Sequence, residues 1–250
     1  MIRRAFLILL VLSPAACGGG GSSSSSTPSS PTTVTPAATT VSVAISPSTD
    51  MIKIQGTESF AVTATMSDAT TKAVNGTWTS DATSVATVDS SGKVIGVGPG
   101  QATITVSYDT AKATRTIRVV PDYQGNWTGD YTVLSCSDSG KFHSEDWCAA
   151  ATQAGTIHVT MTLTQTRDSV TGPWTHSQMA GTAQGTIEAD GTLTLSGTGT
   201  MDTIPMTITG WRSRSTDNKT QTGKFTMNFT SSVWSGSSQA SVEIRTCTKG

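Results

Sequence analysis

From Val41 to Ile244, apolar residues recur at every second position in short runs, and turn residues separate the runs. This alternation places one face of each run against a core and the other in water, so it is typical of half-buried β-strands. No stretch shows a helical period of useful length. Only 13% of residues are charged, and Ser and Thr supply most of the polarity, which argues against a coiled coil and against charge-driven disorder. We therefore predict an all-β protein.

The charge balance argues against nucleic acid as a partner. Residues 40–121 carry six charges of each sign, and residues 122–250 carry eight positive and eleven negative charges. Phosphate binding needs clustered Lys and Arg, and this balance provides no basic face.

Residues 1–16 have the anatomy of an export signal. Two arginines precede the apolar run from Ala5 to Leu12, which is too short to span a bilayer, and small residues follow. Cys17 comes directly after Ala16, an arrangement that resembles the bacterial lipobox, although Pro14 stands where that family usually has Leu. The resemblance implies lipidation of Cys17, a membrane contact through that lipid and an outer-membrane lipoprotein of the cell envelope. The alternative is ordinary cleavage, which leaves a secreted protein with a free thiol.

Residues 17–39 contain Gly, Ser, Thr and Pro but no charge and almost no large apolar side chain. Such a segment cannot bury enough surface to offset its ordering entropy, so we expect a disordered tether.

Residues 40–121 are predicted to form a first domain, an antiparallel sandwich of short strands. The alternating positions are Val41, Val43, Ile45, Phe60, Val62, Ala64, Met66, Ala102, Ile104, Val106, Tyr108, Ile117 and Val119.

Several motifs in this domain resemble the bacterial Ig-like domain, group 2. They are Trp78-Thr79-Ser80-Asp81, Val85-Ala86-Thr87-Val88-Asp89, Gly92-Lys93-Val94, Gly96, Gly100 and Ala102-Thr103-Ile104, with Val43 to Pro47 and Gly56-Thr57 upstream. Members of this family are mostly modules of bacterial surface proteins. The resemblance therefore implies a β-sandwich used for binding or spacing at the cell surface, and it implies a core position for Trp78.

Residues 122–250 are predicted to form a second antiparallel domain with about eight strands and short turns, which indicates a small meander β-barrel. The opening Gly125-Asn126-Trp127 and the late Arg245 resemble lipocalin and avidin-like barrels, a resemblance that implies Trp127 at the barrel base with Arg245 packed across it. An apolar interior is either filled by its own side chains or suited to a small apolar ligand.

Four tryptophans of this second domain lie in polar, turn-rich sequence: Trp147, Trp174, Trp211 and Trp234. Exposed aromatic rings of this kind can stack on a glycan or anchor a cell-surface protein. The alternative is that they cap the open ends of the barrel.

Three cysteines follow Cys17, and export places them in an oxidising compartment where one disulfide is expected. If the first and last strands pair, Cys247 lies near Trp127, so we expect Cys136 to pair with Cys148 and Cys247 to stay unpaired. The polar loop between Cys136 and Cys148 is too hydrophilic to enter the barrel core, so we expect it to lie over a barrel mouth or to project into solvent.

No nucleophile elbow, phosphate-binding loop or metal-ligand spacing occurs in the sequence, so we expect no catalytic residue, no metal and no cofactor. The sequence favours a non-catalytic cell-envelope protein that acts in surface binding, adhesion or spacing. One alternative is a small-ligand binding protein that uses the barrel for an apolar molecule or a glycan; a hydrolase is the other.

Overall fold

The computed structural model describes residues 36–250. Both β regions belong to one compact unit, residues 38–250. The predicted export signal (1–16), the predicted lipidation site Cys17 and residues 17–35 of the predicted tether lie outside the described residues.

The first region is a sandwich of short strands. Its strands are β1 (Thr40–Ser46), β2 (Met51–Lys53), β3 (Thr57–Ser59), β4 (Ala61–Met66), β5 (Thr71–Val74), β6 (Thr77–Ser80), β7 (Ala86–Val88), β8 (Lys93–Gly96), β9 (Gly100–Tyr108) and β10 (Ala111–Val120). They form three sheets with the orders β1-β4-β5, β2-β10-β9-β6 and β3-β8-β7. All pairs are antiparallel except β2 with β10. The predicted Ig-like sandwich is confirmed.

The alternating positions of the sandwich form its core, with one exception. Val43, Ile45 and their partners on the facing strands are buried, whereas Val41 is 64% exposed. The register of β1 on β4 shifts between Thr40 and Ser42, and such an irregularity turns the intervening side chain outward. Trp78 is half-buried and stacks on Phe60 with ring centroids 6.3 Å apart.

The second region is a closed barrel of eight antiparallel strands in sequence order, which confirms the predicted meander barrel. Its elements are β11 (Gly125–Asp138), α1 (Lys141–Ser144), α2 (Trp147–Gln153), β12 (Ile157–Thr166), β13 (Ser169–His176), β14 (Met179–Ile187), β15 (Thr192–Met201), β16 (Ile204–Arg214), β17 (Thr220–Ser231) and β18 (Gly236–Lys249). The sheet closes because β11 pairs with β18.

The barrel has two different ends. The base is the end with the connections β12–β13, β14–β15 and β16–β17, and the sandwich contacts this end. The mouth is the opposite end, where α1 and α2 lie over the opening. These helices were not predicted, because four and seven residues are too few to show a helical period.

Charged and polar side chains join the sandwich to the base. The carboxylate of Asp122 accepts hydrogen bonds from Lys53 of the sandwich at 2.6 Å and from Lys249 of β18 at 2.9 Å. Burial would raise the pKa of Asp122, but the hydrogen bonds from the two lysines outweigh it and lower this pKa. Arg118 of β10 donates to the backbone carbonyls of Ile187 and Glu188 at the base.

The expectation that Arg245 packs across Trp127 is wrong. Arg245 is exposed, because its position in β18 points away from the interior. Lys249 takes the place that was expected for the arginine, with its Nζ atom 6.0 Å from the centroid of the Trp127 ring.

Candidate functional site

Side chains fill the interior of the barrel from the base to its middle. Trp127 is fully buried, and its Nε1 donates to the backbone carbonyl of Tyr123 at 2.7 Å. Trp211 stacks on Phe225 with ring centroids 4.6 Å apart. The void enclosed among these rings measures about 10 Å³, the size of a single water molecule at most. No ligand of ordinary size fits this deep part.

A larger space opens at the mouth. This mouth cavity measures about 560 Å³, within the range of small-molecule sites. Its lining is mostly apolar. The lining residues are Tyr131, Val133, Trp147, Ala150, Ala151, Ala154, Thr156, Ile157, His158, His176, Ser177, Met179, Met227, Phe229 and Ala240. This set contains no Lys, Arg, Asp or Glu, so the described walls offer no fixed counter-charge.

Helix α2 forms one wall of the mouth cavity. Ala150 and Ala151 of this helix and Ala154 directly after it face the cavity, and their small side chains leave the space open. No residue of α2 is fully buried, and Trp147 at its start is the residue of the helix that packs against the aromatic side chains of the barrel. A disulfide ties Cys148 of α2 to Cys136 of β11, with Cα atoms 5.3 Å apart.

A second tie to α2 comes from Asp138 of β11, whose carboxylate accepts a hydrogen bond from the backbone N–H of Cys148 at 3.0 Å. This bond, with a further one from His143, lowers the pKa of Asp138. The disulfide and the carboxylate therefore hold the N-terminal end of α2 to the barrel wall.

Four aromatic rings pack beside the cavity at the mouth. Phe142 of α1 is fully buried and lies 4.9 Å from Trp234 and 5.5 Å from Trp147, measured between ring centroids. Trp147 also meets Phe229 of β17 edge-on at 5.2 Å. The segment between Cys136 and Cys148 thus lies over the mouth, one of its two expected positions, and Phe142 is its fully buried residue.

Three polar atoms near the floor of the mouth cavity have no hydrogen-bond partner among the described residues: Tyr131 Oη, Trp174 Nε1 and His176 Nδ1. The ring centroids of Tyr131 and His176 are 5.3 Å apart. Burial raises the pKa of Tyr131, so its hydroxyl stays protonated and can donate. Burial, together with the nearby charge of His158, lowers the pKa of His176 below 6.5, which favours the neutral imidazole at neutral pH.

The four tryptophans proposed as contact residues lie in three different environments. Trp174 and Trp211 are only 4% and 3% exposed and point into the barrel, so the expectation of exposed rings is wrong for both. Trp234 is half-buried in the aromatic group at the mouth. Trp147 is half-buried too, and it alone of the four lines the mouth cavity.

The inward direction of Trp211 has a local cause. The register of β16 on β17 shifts between Thr209 and Arg212, which adds one residue to β16. Gly210 takes up this extra position with φ +62°, a conformation that favours glycine. The bulge reverses the parity of the strand, so Trp211 turns into the barrel together with Ile208. Trp174 faces inward without a bulge, because it has the same parity as the buried Val170 in β13.

Sequence reasoning missed two of the residues that matter most at the mouth, Tyr131 and His176. Trp127 and Tyr131 lie four positions apart in β11 and share a face of the strand, which favours an inward position for Tyr131. The sequence carried no signal for its missing hydrogen-bond partner, because partners depend on strands far apart along the chain.

Cys247 is a buried free thiol opposite Gly129 on the neighbouring strand. Burial raises its pKa to about 12, with a smaller contribution from Asp130, so the reactive thiolate form is disfavoured. Within residues 36–250, no group of three or more His, Cys, Asp or Glu side chains is placed to hold a metal ion.

Residues 37–119 match the family model described as bacterial Ig-like domain (group 2), which confirms the resemblance of the sandwich. The match covers about a third of the chain. It is compatible with a non-catalytic surface or adhesion module. No curated protein matches the sequence.

Solved structures of a surface layer protein, SbsC, have a weak likeness to this chain. One, of domains 4–9, is 14% identical with a TM-score of 0.32, and the match covers 82% of this chain but only 31% of that one. Another, of domains 5–6, is 15% identical with a TM-score of 0.31, covering 82% of this chain and 97% of that one.

No helix in the described part of the chain is long and apolar enough to cross a membrane.

Proposed function

We propose that this protein is a non-catalytic cell-surface binding protein, in which the sandwich is a stalk and the barrel is a head with a small-molecule site at its mouth. The observation that carries this proposal is the apolar cavity of about 560 Å³ between α2 and the inner faces of the barrel strands. Its size and lining fit a small, largely apolar ligand.

The placement of the cavity supports the division into stalk and head. The sandwich contacts the base, so the mouth faces the opposite direction and stays accessible. The enclosed void in the middle of the barrel is too small for a ligand, so binding is confined to the mouth. A glycan that stacks on exposed rings is a weaker candidate, because two of the four tryptophans considered for it are buried.

A titration with the neutral, environment-sensitive dye N-phenyl-1-naphthylamine tests the site. We expect its fluorescence to rise on binding to the purified protein in detergent-free buffer. Ala151→Leu, which adds bulk to the cavity wall of α2, is expected to weaken dye binding by about tenfold or more. Ala149→Leu is the matched control: Ala149 lies on the same helix but outside the cavity lining, so binding is expected to stay unchanged.

If the dye does not bind, or if the two leucine variants lower its affinity equally, the mouth cavity is not a ligand site. The protein would then be assigned to adhesion or spacing through other surfaces.

The proposed location rests on the N-terminal sequence. An export signal at residues 1–16 and a lipid on Cys17 would anchor the protein to the cell envelope, with residues 17–39 as the tether. We expect Cys17→Ser to move the protein from the membrane fraction to the soluble fraction. Detergent-dependent membrane association of that variant would contradict the lipid anchor.

A further inference from the structure

Two orphaned polar atoms distinguish the floor of the mouth cavity from its apolar walls. Tyr131 is 1% exposed, and its Oη atom has no hydrogen-bond partner among the described residues. The Nδ1 atom of the neighbouring His176 is also buried and also unpartnered. Both side chains line the cavity. A buried polar group without a partner is costly, so a ligand group that bonds to it gains affinity and specificity.

We propose, on the basis of the function proposed above, that the ligand is an uncharged apolar molecule with one hydroxyl group, which Tyr131 and His176 bind at the cavity floor. The tyrosine hydroxyl donates to the ligand oxygen. The ligand hydroxyl donates in turn to the Nδ1 atom of the neutral imidazole. A hydroxyl both accepts and donates a hydrogen bond, so it satisfies the two orphaned atoms together.

The walls exclude two other classes of ligand. A carboxylate or phosphate would lose its hydration without gaining a counter-charge, because no Lys or Arg lines the cavity. A sugar would leave most of its hydroxyls unpaired against side chains such as Val133, Ile157 and Met179.

The position of Tyr131 and His176 at the bottom of the cavity determines which end of the ligand enters first. Tyr131 and His176 line both the mouth cavity and the small void beneath it, so they mark the lower limit of the available space. The ligand hydroxyl therefore enters first, and the apolar body remains between the alanines of α2 and the barrel wall.

A second buried tyrosine provides a matched control. The Tyr123 hydroxyl donates to the backbone carbonyl of Gly191 at 2.9 Å and accepts from the N–H of Ser215 at 3.0 Å. Tyr123 lies at the base, outside the cavity lining. Tyr123→Phe and Tyr131→Phe thus each delete one buried tyrosine hydroxyl. The hydroxyl of Tyr123 is hydrogen-bonded within the protein, whereas that of Tyr131 is not.

The test compares three ten-carbon probes that displace the dye from the full protein: 1-decanol, 1-chlorodecane and, above neutral pH, decanoate. We expect decanol to bind about tenfold more tightly than chlorodecane, which lacks the hydroxyl, and decanoate to bind more weakly than decanol. Tyr131→Phe is expected to remove most of the preference for decanol over chlorodecane. Tyr123→Phe is expected to keep it.

The outcomes separate this inference from the proposed function. If decanoate binds as tightly as decanol, or if the preference survives Tyr131→Phe, the hydroxyl-binding floor is wrong while the cavity remains a ligand site. If neither the dye nor any probe binds, both proposals fail. The comparison of probes on the unmodified protein decides the question even if Tyr131→Phe does not fold.

Discussion

The two ends of the barrel use the same kinds of side chain for opposite purposes. At the base, the side-chain polar atoms of Tyr123 and Trp127 are hydrogen-bonded, and both rings are fully buried. Toward the mouth, Tyr131 and Trp174 are also deeply buried, but their polar atoms are unpartnered, and the mouth cavity opens beside Tyr131. For these rings, the base pairs its polar atoms, whereas the mouth leaves polar atoms unpartnered at a cost in stability. Gln221 is an exception at the base, because its Nε2 atom is buried without a partner among the described residues.

The sharpest test of this contrast compares one tryptophan from each end. Trp127→Ala is expected to lower the free energy of unfolding by about 3–5 kcal/mol, because a fully buried ring and its hydrogen bond are lost from the base. Trp147→Ala is expected to cost clearly less, about 1–2 kcal/mol, because half-buried Trp147 leaves space that is already open to solvent. Urea unfolding monitored by near-ultraviolet circular dichroism measures both. Equal losses would show that the mouth packs as a second core.

Removal of the disulfide tests whether the mouth depends on its cross-link. Cys136→Ala with Cys148→Ala is expected to cost about 3 kcal/mol on the chain-entropy estimate for a loop of this length. Dye binding is expected to fall as well, because the disulfide is the covalent link between α2 and the barrel wall.

The control for the disulfide is Cys247→Ala at the base, which removes a buried thiol that takes no part in the cross-link. Dye binding is expected to persist in this variant. Undiminished dye binding in the double variant would mean that the position of α2 does not shape the cavity.

The smallest expected effect is a difference in acid sensitivity between the two ends. The pKa of His176 is lowered in the folded protein. Its contribution to the stability of the folded state is therefore complete above about pH 6.5 and is lost as the pH falls below that value. At the base, backbone hydrogen bonds from Thr220 and Lys219 lower the pKa of Asp217 to about 2. The contribution of Asp217 to stability is lost only below about pH 3.8.

Mildly acidic buffer is therefore expected to weaken dye binding while the barrel stays folded. Dye titrations and unfolding midpoints across this pH range measure the two effects separately. His176→Gln is expected to remove the acid-dependent loss of binding. A loss of binding that persists in this variant would assign the pH effect to another group.

The sequence predicted the closed barrel because parity within each strand is a local property. Inward-facing positions such as Trp127 and Ile244 follow from the alternation within each strand, without knowledge of the partner strands. The direction of Trp211 could not be predicted in this way, since it depends on a bulge whose only local trace is Gly210. The cap formed by α1 and α2 was missed because its segment is short and mixes polar residues with Phe142 and Trp147, so it shows no helical period.

The polar floor of the cavity marks another limit of sequence reasoning. The sequence shows that Tyr131 faces inward, but whether its hydroxyl finds a partner depends on side chains from several strands. Trp211 illustrates the other outcome, because its Nε1 donates to Ser213 at 2.9 Å and leaves nothing for a ligand. Two buried tryptophans with the same inward orientation thus differ in a property that only the assembled barrel defines.

The bridge at Asp122 has a consequence for the order of assembly. Its carboxylate holds Lys53, from the second strand of the sandwich, and Lys249, from the last strand of the barrel. The segments that carry these lysines are synthesised far apart in time. Lys249 reaches Asp122 from β18, which lies beside β11 in the closed sheet, so this half of the bridge depends on closure of the barrel.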